Sequence, residues 1–364
     1  MIGAGFAGAW VALHLVQRGA SVALLEAGPG PPGESVRNAG VLVPFAGENA
    51  FRLEKALGRP GGRELGAYAL RAYRELRAPL ESPTAEEGIW WLAWRGEEAR
   101  ELEASVPLLE NLGHAVEFAG AAEVARRTGA TGAAAGLHLA EATGVDPAAL
   151  LATTLSRARA LGATVTSGGR VVALADEVLE TTAGRLEAEI VVVAAGFRSA
   201  EFAPSLADAI HPVRGQMLAT RPVPRAFETM FSANWRFDSW RQTPEGRLLA
   251  GGMRWSQPEM ECGLTEEVVN EDLHRRLADF LPRRFPSLPP LEVESAWSGI
   301  MAHSADLLPI AGPLPGHPRR WIAAGFSGDG LVLSYAIGRD LAAWIAGEKP
   351  EAPWPLFSPR RFLR

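Results

Sequence analysis

Only one cysteine, Cys262, stands among the 364 residues, so the chain can form neither an intramolecular disulfide nor a cysteine metal cluster. That usage suits a reducing cytoplasm. Lysine is almost as rare, with Lys55 and Lys349 the only two, and arginine carries the positive charge. The formal net charge of −6 speaks against a general nucleic-acid binder. No run of about 18 apolar residues is free of charges and breakers, so no membrane span is expected. No basic segment leads into an apolar core and a cleavage site, so no secretory signal is read, and a cytoplasmic location is expected. Tandem repeats and low-complexity tracts are missing as well.

What the sequence does contain begins at its first residues. Gly3, Gly5 and Gly8 give G-x-G-x-x-G. In such a turn the first glycine allows the sharp bend after a strand, the second lets a pyrophosphate approach the backbone, and the third lets the helix pack close to the sheet. Ala9, Ala12, Leu13 and Val16 then repeat at helical spacing, and Gly19 ends the helix. Val22 to Leu25 reads as a buried parallel strand, and Glu26 at its end is placed to accept ribose hydroxyls. Free N–H groups and the helix dipole would hold the anion. The alternative is a tightly packed turn without a ligand, which has no use for Glu26 at a strand end. About five residues of strand should precede Gly3, but only Met1 and Ile2 do, so the native chain is expected to start upstream.

Ala27 to Gly33 is an irregular Gly/Pro loop leading to Ser35–Val41, where small residues let a flat ligand come near and Arg37 and Asn38 offer hydrogen bonds. Helices are expected over 64–78, 97–112, 265–280 and from Asp146-Pro147, an N-cap followed by proline at the first helical position. Gly88–Trp94 reads as a strand whose tryptophans form an apolar sheet face, with a pocket wall as the other reading. Strands are expected at 164–166 and 170–174, and Ile190–Ala195 is a continuous apolar strand ending at Gly196. Between His211 and Trp297 the pattern changes to short strands (216–220, 247–252, 291–296), which points to an inserted antiparallel sheet. Trp321–Ala324 then leads to a second glycine turn, Gly325-Phe326-Ser327-Gly328-Asp329-Gly330, and a helix through Leu331, Tyr335 and Leu341.

Together these segments resemble the FAD-dependent amine and D-amino-acid oxidoreductases, the family of glycine oxidase, D-amino acid oxidase, sarcosine oxidase and gamma-glutamylputrescine oxidoreductase. The resemblance spans nearly the whole chain, and Trp240–Gly252 looks most like the gamma-glutamylputrescine branch. It implies an α/β fold: a discontinuous Rossmann-like FAD-binding domain (1–80, 145–210, 297–364) with an inserted antiparallel-sheet substrate domain (81–144, 211–296). It implies FAD, with Gly3, Gly5, Phe6, Ala7 and Gly8 at the pyrophosphate and Glu26, with Ala27 beside it, at the adenosine ribose. Val171 would meet the adenine, Arg37, Asn38, Ala39 and Gly40 the isoalloxazine, and Ala195 and Gly196 would back the cofactor. Gly325, Phe326, Gly328, Asp329, Gly330 and Leu331 would lie at the flavin pyrimidine edge, where a helix N-terminus suits a developing anion.

Two departures from the family pattern matter. Met301 stands where glycine oxidase and D-amino acid oxidase carry a carboxylate-binding arginine. The segment that holds the FAD-linking cysteine in monomeric sarcosine oxidase has none here, so FAD is expected to be noncovalent and Cys262 a bystander.

The resemblance implies oxidation of a C–N bond: hydride passes from the alpha carbon of a neutral amine to flavin N5, and the imine is hydrolysed. Beside Met301, three candidate pocket residues are read. Arg254 would pair with an acidic part of the substrate, Trp255 would pack on its carbon chain, and His303 would help keep the amine neutral. Each has a plainer reading: a surface ion pair, core packing and a hydrogen-bonded structural histidine. The expected partners are a small amine or amino-acid-like substrate and O2 or another electron acceptor, with homo-oligomerisation left open. Two rivals are an NAD-dependent dehydrogenase, which leaves the second glycine turn unexplained, and a flavin-bearing subunit that needs a partner to turn over.

Overall fold

The computed structural model describes residues 1–30, 33–80 and 87–363. Pro31 and Pro32 of the expected loop, and residues at the expected 80/81 domain boundary, lie outside the described residues.

One sheet carries the nucleotide-type half. Ala23–Glu26 pairs in parallel with Thr164–Ser167, and Val191–Val193 pairs in parallel with His317–Ala324. Ile2 joins these two pairs, bridging Leu25 on one side and Val193 on the other. Ile310–Leu314 adds an antiparallel edge against His317–Ala324. Alternation along the strands fills two cores: Leu24, Val192 and Ala323 face the helices, and Leu25, Val191, Val193 and Ile322 face the opposite layer.

The helical layer holds Phe6–Val16, Pro147–Ala160 and Gly330–Ile345. Asp146 caps its helix as its sequence suggests, accepting from the Ala148 and Ala149 amides at 2.8 and 3.1 Å. The opposite layer includes a small sheet of three strands, Val171–Ala175, Val178–Thr181 and Gly184–Glu187. Only the first of these is anticipated by the sequence pattern.

Among the described residues the second sheet has nine strands. It is antiparallel except where Met230–Ala233 runs parallel to Glu87–Ala93, so it is a mixed sheet rather than the purely antiparallel one expected. Its longest pairing joins Ile210–Thr220 to Val293–Ser304, a strand that crosses the expected 296/297 boundary. Trp90 and Trp91 are buried on opposite faces of Glu87–Ala93 and make core contacts. The helix expected over 265–280 runs instead over Glu271–Arg284. Asn270 is its N-cap, accepting from the Leu273 amide at 3.2 Å, and this places Val268 before the helix and exposed. Its buried Leu273, Leu277 and Leu281 cover the outer face of the sheet with Trp240, Phe231 and Phe285.

Gly338 sets how close two helices approach. A Cβ there would lie 2.7 Å from Trp10 Cβ and 3.0 Å from Val11 N, so any larger side chain forces Phe6–Val16 and Gly330–Ile345 apart. G338V is expected to destabilise the fold by about 1–3 kcal/mol through overpacking, read as a lower melting temperature together with weaker FAD retention.

Candidate active site

Those two helices aim their N-termini at one cavity of about 440 Å³. The first is capped by Gly5, which has no side chain to offer, and its first turn holds no acid. Gly5, Phe6 and Ala7 line the cavity, with the Phe6 amide donating to Ser35 Oγ at 3.2 Å. The second helix has Asp329 at its N-cap, but the side chain does not cap it. The Asp329 carboxylate instead accepts from the Gly47 amide at 2.7 Å and the Arg236 guanidinium at 3.1 Å. Burial pushes this carboxyl above its ordinary value, and Arg236 opposes the shift. Both helices thus present amides and positive dipole ends to the same space, a cradle for a long ligand with anionic character at two points.

A family model described as "FAD dependent oxidoreductase" matches residues 1–344. The chain belongs to this FAD-dependent oxidoreductase family. It is 26% identical over 350 residues to the glycine oxidase of Geobacillus kaustophilus (strain HTA426), covering 93% of this chain and 90% of that protein. It is 24% identical over 372 residues to gamma-glutamylputrescine oxidoreductase of Escherichia coli (strain K12), covering 96% and 83%. The crystal structure of glycine oxidase from Geobacillus kaustophilus superposes with a TM-score of 0.83 at 23% identity, over 98% of this chain and 96% of that one. L-proline dehydrogenase from P. horikoshii gives a TM-score of 0.83 at 19% identity, over 99% and 96%. The shared fold and the family assign FAD as the cofactor.

The residues present fit that group. Gly5 leaves the helix start open, since a Cβ there would stand 2.8 Å from Ser35 Oγ and close the gap. Arg37, Asn38, Ala39, Gly40, Gly196, Gly325, Phe326, Gly328, Asp329, Gly330 and Leu331 all line the cavity, and no cysteine does. The side chains in the 37–40 turn also have local partners. Asn38 donates to the Ser35 carbonyl at 2.9 Å and accepts from the Gly40 amide at 2.9 Å, while Arg37 pairs with Glu267.

Other expected cofactor residues sit beside the cavity rather than in its wall. A Cβ on Gly3 or Gly8 would collide with the carbonyl oxygen of Ala194 or Gly3, so both glycines serve the packing of the turn. Glu26 accepts from the Ala4 and Gly28 amides, each at 3.0 Å, which orients its carboxylate at the strand end with Ala27 next to it. Val171 is buried at the start of its strand; the Gly169 amide before it donates to the Glu26 carbonyl at 3.0 Å. The Ala195 amide donates to Ser199 Oγ at 3.1 Å.

Met301 and His303 share a strand and line the cavity together with Arg254. Alternation along Val293–Ser304 brings Gly299, Met301 and His303 to this side. His303 is buried, its Nε2 has no hydrogen-bond partner, and burial, helped by Arg254 and His211, pushes its pKa down to about 3. It is therefore a neutral imidazole at any working pH. Arg254 stacks on Phe237 at 4.5 Å and makes no ion pair among the described residues; burial lowers its pKa, yet a guanidinium stays charged.

Trp255 corrects an expectation, because it does not line this cavity. Its indole N–H donates to the buried Asp238 carboxylate at 2.9 Å, which turns the ring toward Arg95 instead. Sequence reasoning missed Glu34, Trp235 and Arg236, which do line it. Of these, only Glu34 sits beside a flagged stretch.

Burial raises Glu34 to about 7, with Glu267 and Glu26 adding to the shift. Below the ordinary value of 4.5 the folded and unfolded chains both hold the proton, and between 4.5 and about 7 only the folded chain does, so stability falls as pH rises through that window. E34Q is expected to raise the melting temperature at pH near 8 by about 2–4 °C and to leave it unchanged near pH 4, measured by thermal unfolding.

Proposed function

We propose that this enzyme oxidises the C–N bond of a small amine or amino-acid-like substrate that carries an acidic group. The observation that carries this reading is Arg254, a guanidinium free of ion pairs among the described residues, on the same cavity wall as Met301 and His303. With Met301 in the strand position, Arg254 takes over the acid: it binds the substrate carboxylate and fixes which end of the molecule enters first. Bound FAD supplies the two-electron acceptor. His303, neutral and with a free Nε2, accepts a hydrogen bond from the amine and favours its uncharged form, whose lone pair becomes the second bond to carbon as the alpha C–H bond breaks. The apolar wall of Phe237, Met301 and Phe326 limits water around the reacting carbon. Water then hydrolyses the imine to a carbonyl compound and an amine, and O2 or another acceptor takes the electrons.

This reading uses a division of labour in which 1–80, 145–210 and 297–364 hold FAD and 81–144 and 211–296 hold the substrate. It places the enzyme in the cytoplasm, and the described residues include no helix long and apolar enough to cross a membrane.

The test is an anaerobic flavin-bleaching screen of purified yellow protein with amines, N-methyl amino acids and D-amino acids. Bleaching by an acid-bearing amine is expected; yellow protein that no amine bleaches would overturn the proposal. R254M should lower kcat/KM for that amine about ten- to a hundredfold, the scale of one charge-assisted contact. H303A should lower it at least about tenfold, and no ionisation of His303 should appear in the pH profile between about pH 5 and pH 9. An unchanged kcat/KM in H303A would remove this residue from the mechanism.

A further inference from the structure

A second recess adjoins the substrate end of the cavity. It shares Trp235 and Phe237 with the cavity and adds Arg95, Asn234, Trp255 and Ser256. Arg95 is exposed and lies over both indoles, 5.5 Å from the Trp235 ring and 5.1 Å from the Trp255 ring. It makes no ion pair among the described residues. The indoles are themselves held: Trp235 Nε1 donates to Glu101 at 2.6 Å and Trp255 Nε1 to Asp238 at 2.9 Å. Their rings are thereby fixed as walls of the recess, with Arg95 over both; Arg52 also lies over the Trp235 ring, at 4.6 Å, and the buried Glu98 carboxylate is the acid that feels the Arg95 charge. Phe237 lines both the recess and the cavity, and Arg254 stacks on it at 4.5 Å.

We infer that the recess is a distal subsite for a second acidic group of the substrate, so that Arg254 and Arg95 together select an elongated amine bearing a carboxylate at each end. The carbon chain between the two acids passes Phe237 and packs on the indole of Trp235. Arg95 is a specificity-determining residue in this arrangement, acting through affinity and reach while the reacting carbon stays in the inner cavity. A cation clamped on aromatic faces suits a carboxylate well, because stacking fixes the guanidinium plane and leaves its N–H edge free. The inference rests on the assignment of Arg254 to a substrate acid.

The experiment titrates FAD-loaded enzyme with the straight-chain dicarboxylates from malonate to suberate, following flavin absorbance and, in parallel, heat of binding. Affinity should climb with chain length, and the climb, about three- to tenfold for a partly exposed ion pair, should vanish in R95M and survive in part in R95K. R254M should weaken every member of the series. Affinity that does not depend on length, or a climb that persists in R95M, overturns the inference. None of these readouts needs turnover. A length-dependent climb in protein that no amine bleaches would therefore sink the proposed oxidation and leave the subsite standing, and bleaching by short amines with a flat dicarboxylate series would do the reverse.

Discussion

The structure depends on how closely two helices can pack. Phe6–Val16 and Gly330–Ile345 lie far apart in sequence, yet Gly338 lets the second approach the backbone of the first at Trp10 and Val11. Each helix follows a strand of the same parallel sheet, Ile2 and His317–Ala324 lying on either side of Val191–Val193, so their N-termini emerge at the same sheet end. Neither helix start has a side-chain cap, and amides and positive dipole ends at one cavity suit a ligand with anionic character. FAD, the cofactor of the family, carries negative charge on its pyrophosphate, and the cavity holds both helix starts.

The sequence was legible wherever a local rule governs. Gly3 and Gly8 are glycines because carbonyl oxygens occupy the places their side chains would take, and Asp146-Pro147 starts a helix by the chemistry of its own few atoms. Both glycine turns and their helices follow from that kind of reading. What could not be read depends on partners distant in the chain. Val268 and Val269 look like a helical face, but Asn270 ends the extended segment by capping, and no spacing rule says which signal wins. The parallel contact of Met230–Ala233 with Glu87–Ala93 leaves no mark in either strand. Trp255 reads from the sequence either as packing on a substrate chain or as core packing; the buried Asp238 that holds its N–H keeps it out of the main cavity and in the adjoining recess.

The chemistry of this part of the cavity wall follows from register. Val213 opposite Met301 and His211 opposite His303 fix which side chains of Val293–Ser304 face inward, so a methionine at 301 leaves that position of the wall apolar. Charge enters instead from Arg254, on a short helical turn after Leu248–Gly251. A cation supplied from a loop can change its reach without disturbing the sheet, whereas one on the strand is tied to the ladder.

Backbone strain gathers around this same loop. Asn234, Trp235 and Arg236 all have left-handed φ, at 51°, 54° and 65°, and Met253 follows at 63°. Non-glycine residues there cost on the order of 1–3 kcal/mol each, so three in succession require strong compensation. It comes from both sides: Glu98 accepts from the Trp235 amide at 2.7 Å, Asp238 accepts from Asn234 and from the Met253 amide at 2.5 and 2.7 Å, and Arg236 reaches the Gly47 carbonyl and Asp329. The strained turn therefore joins three things at once: Asp329 at the start of Gly330–Ile345, the aromatic wall of the cavity and the ring over which Arg95 lies.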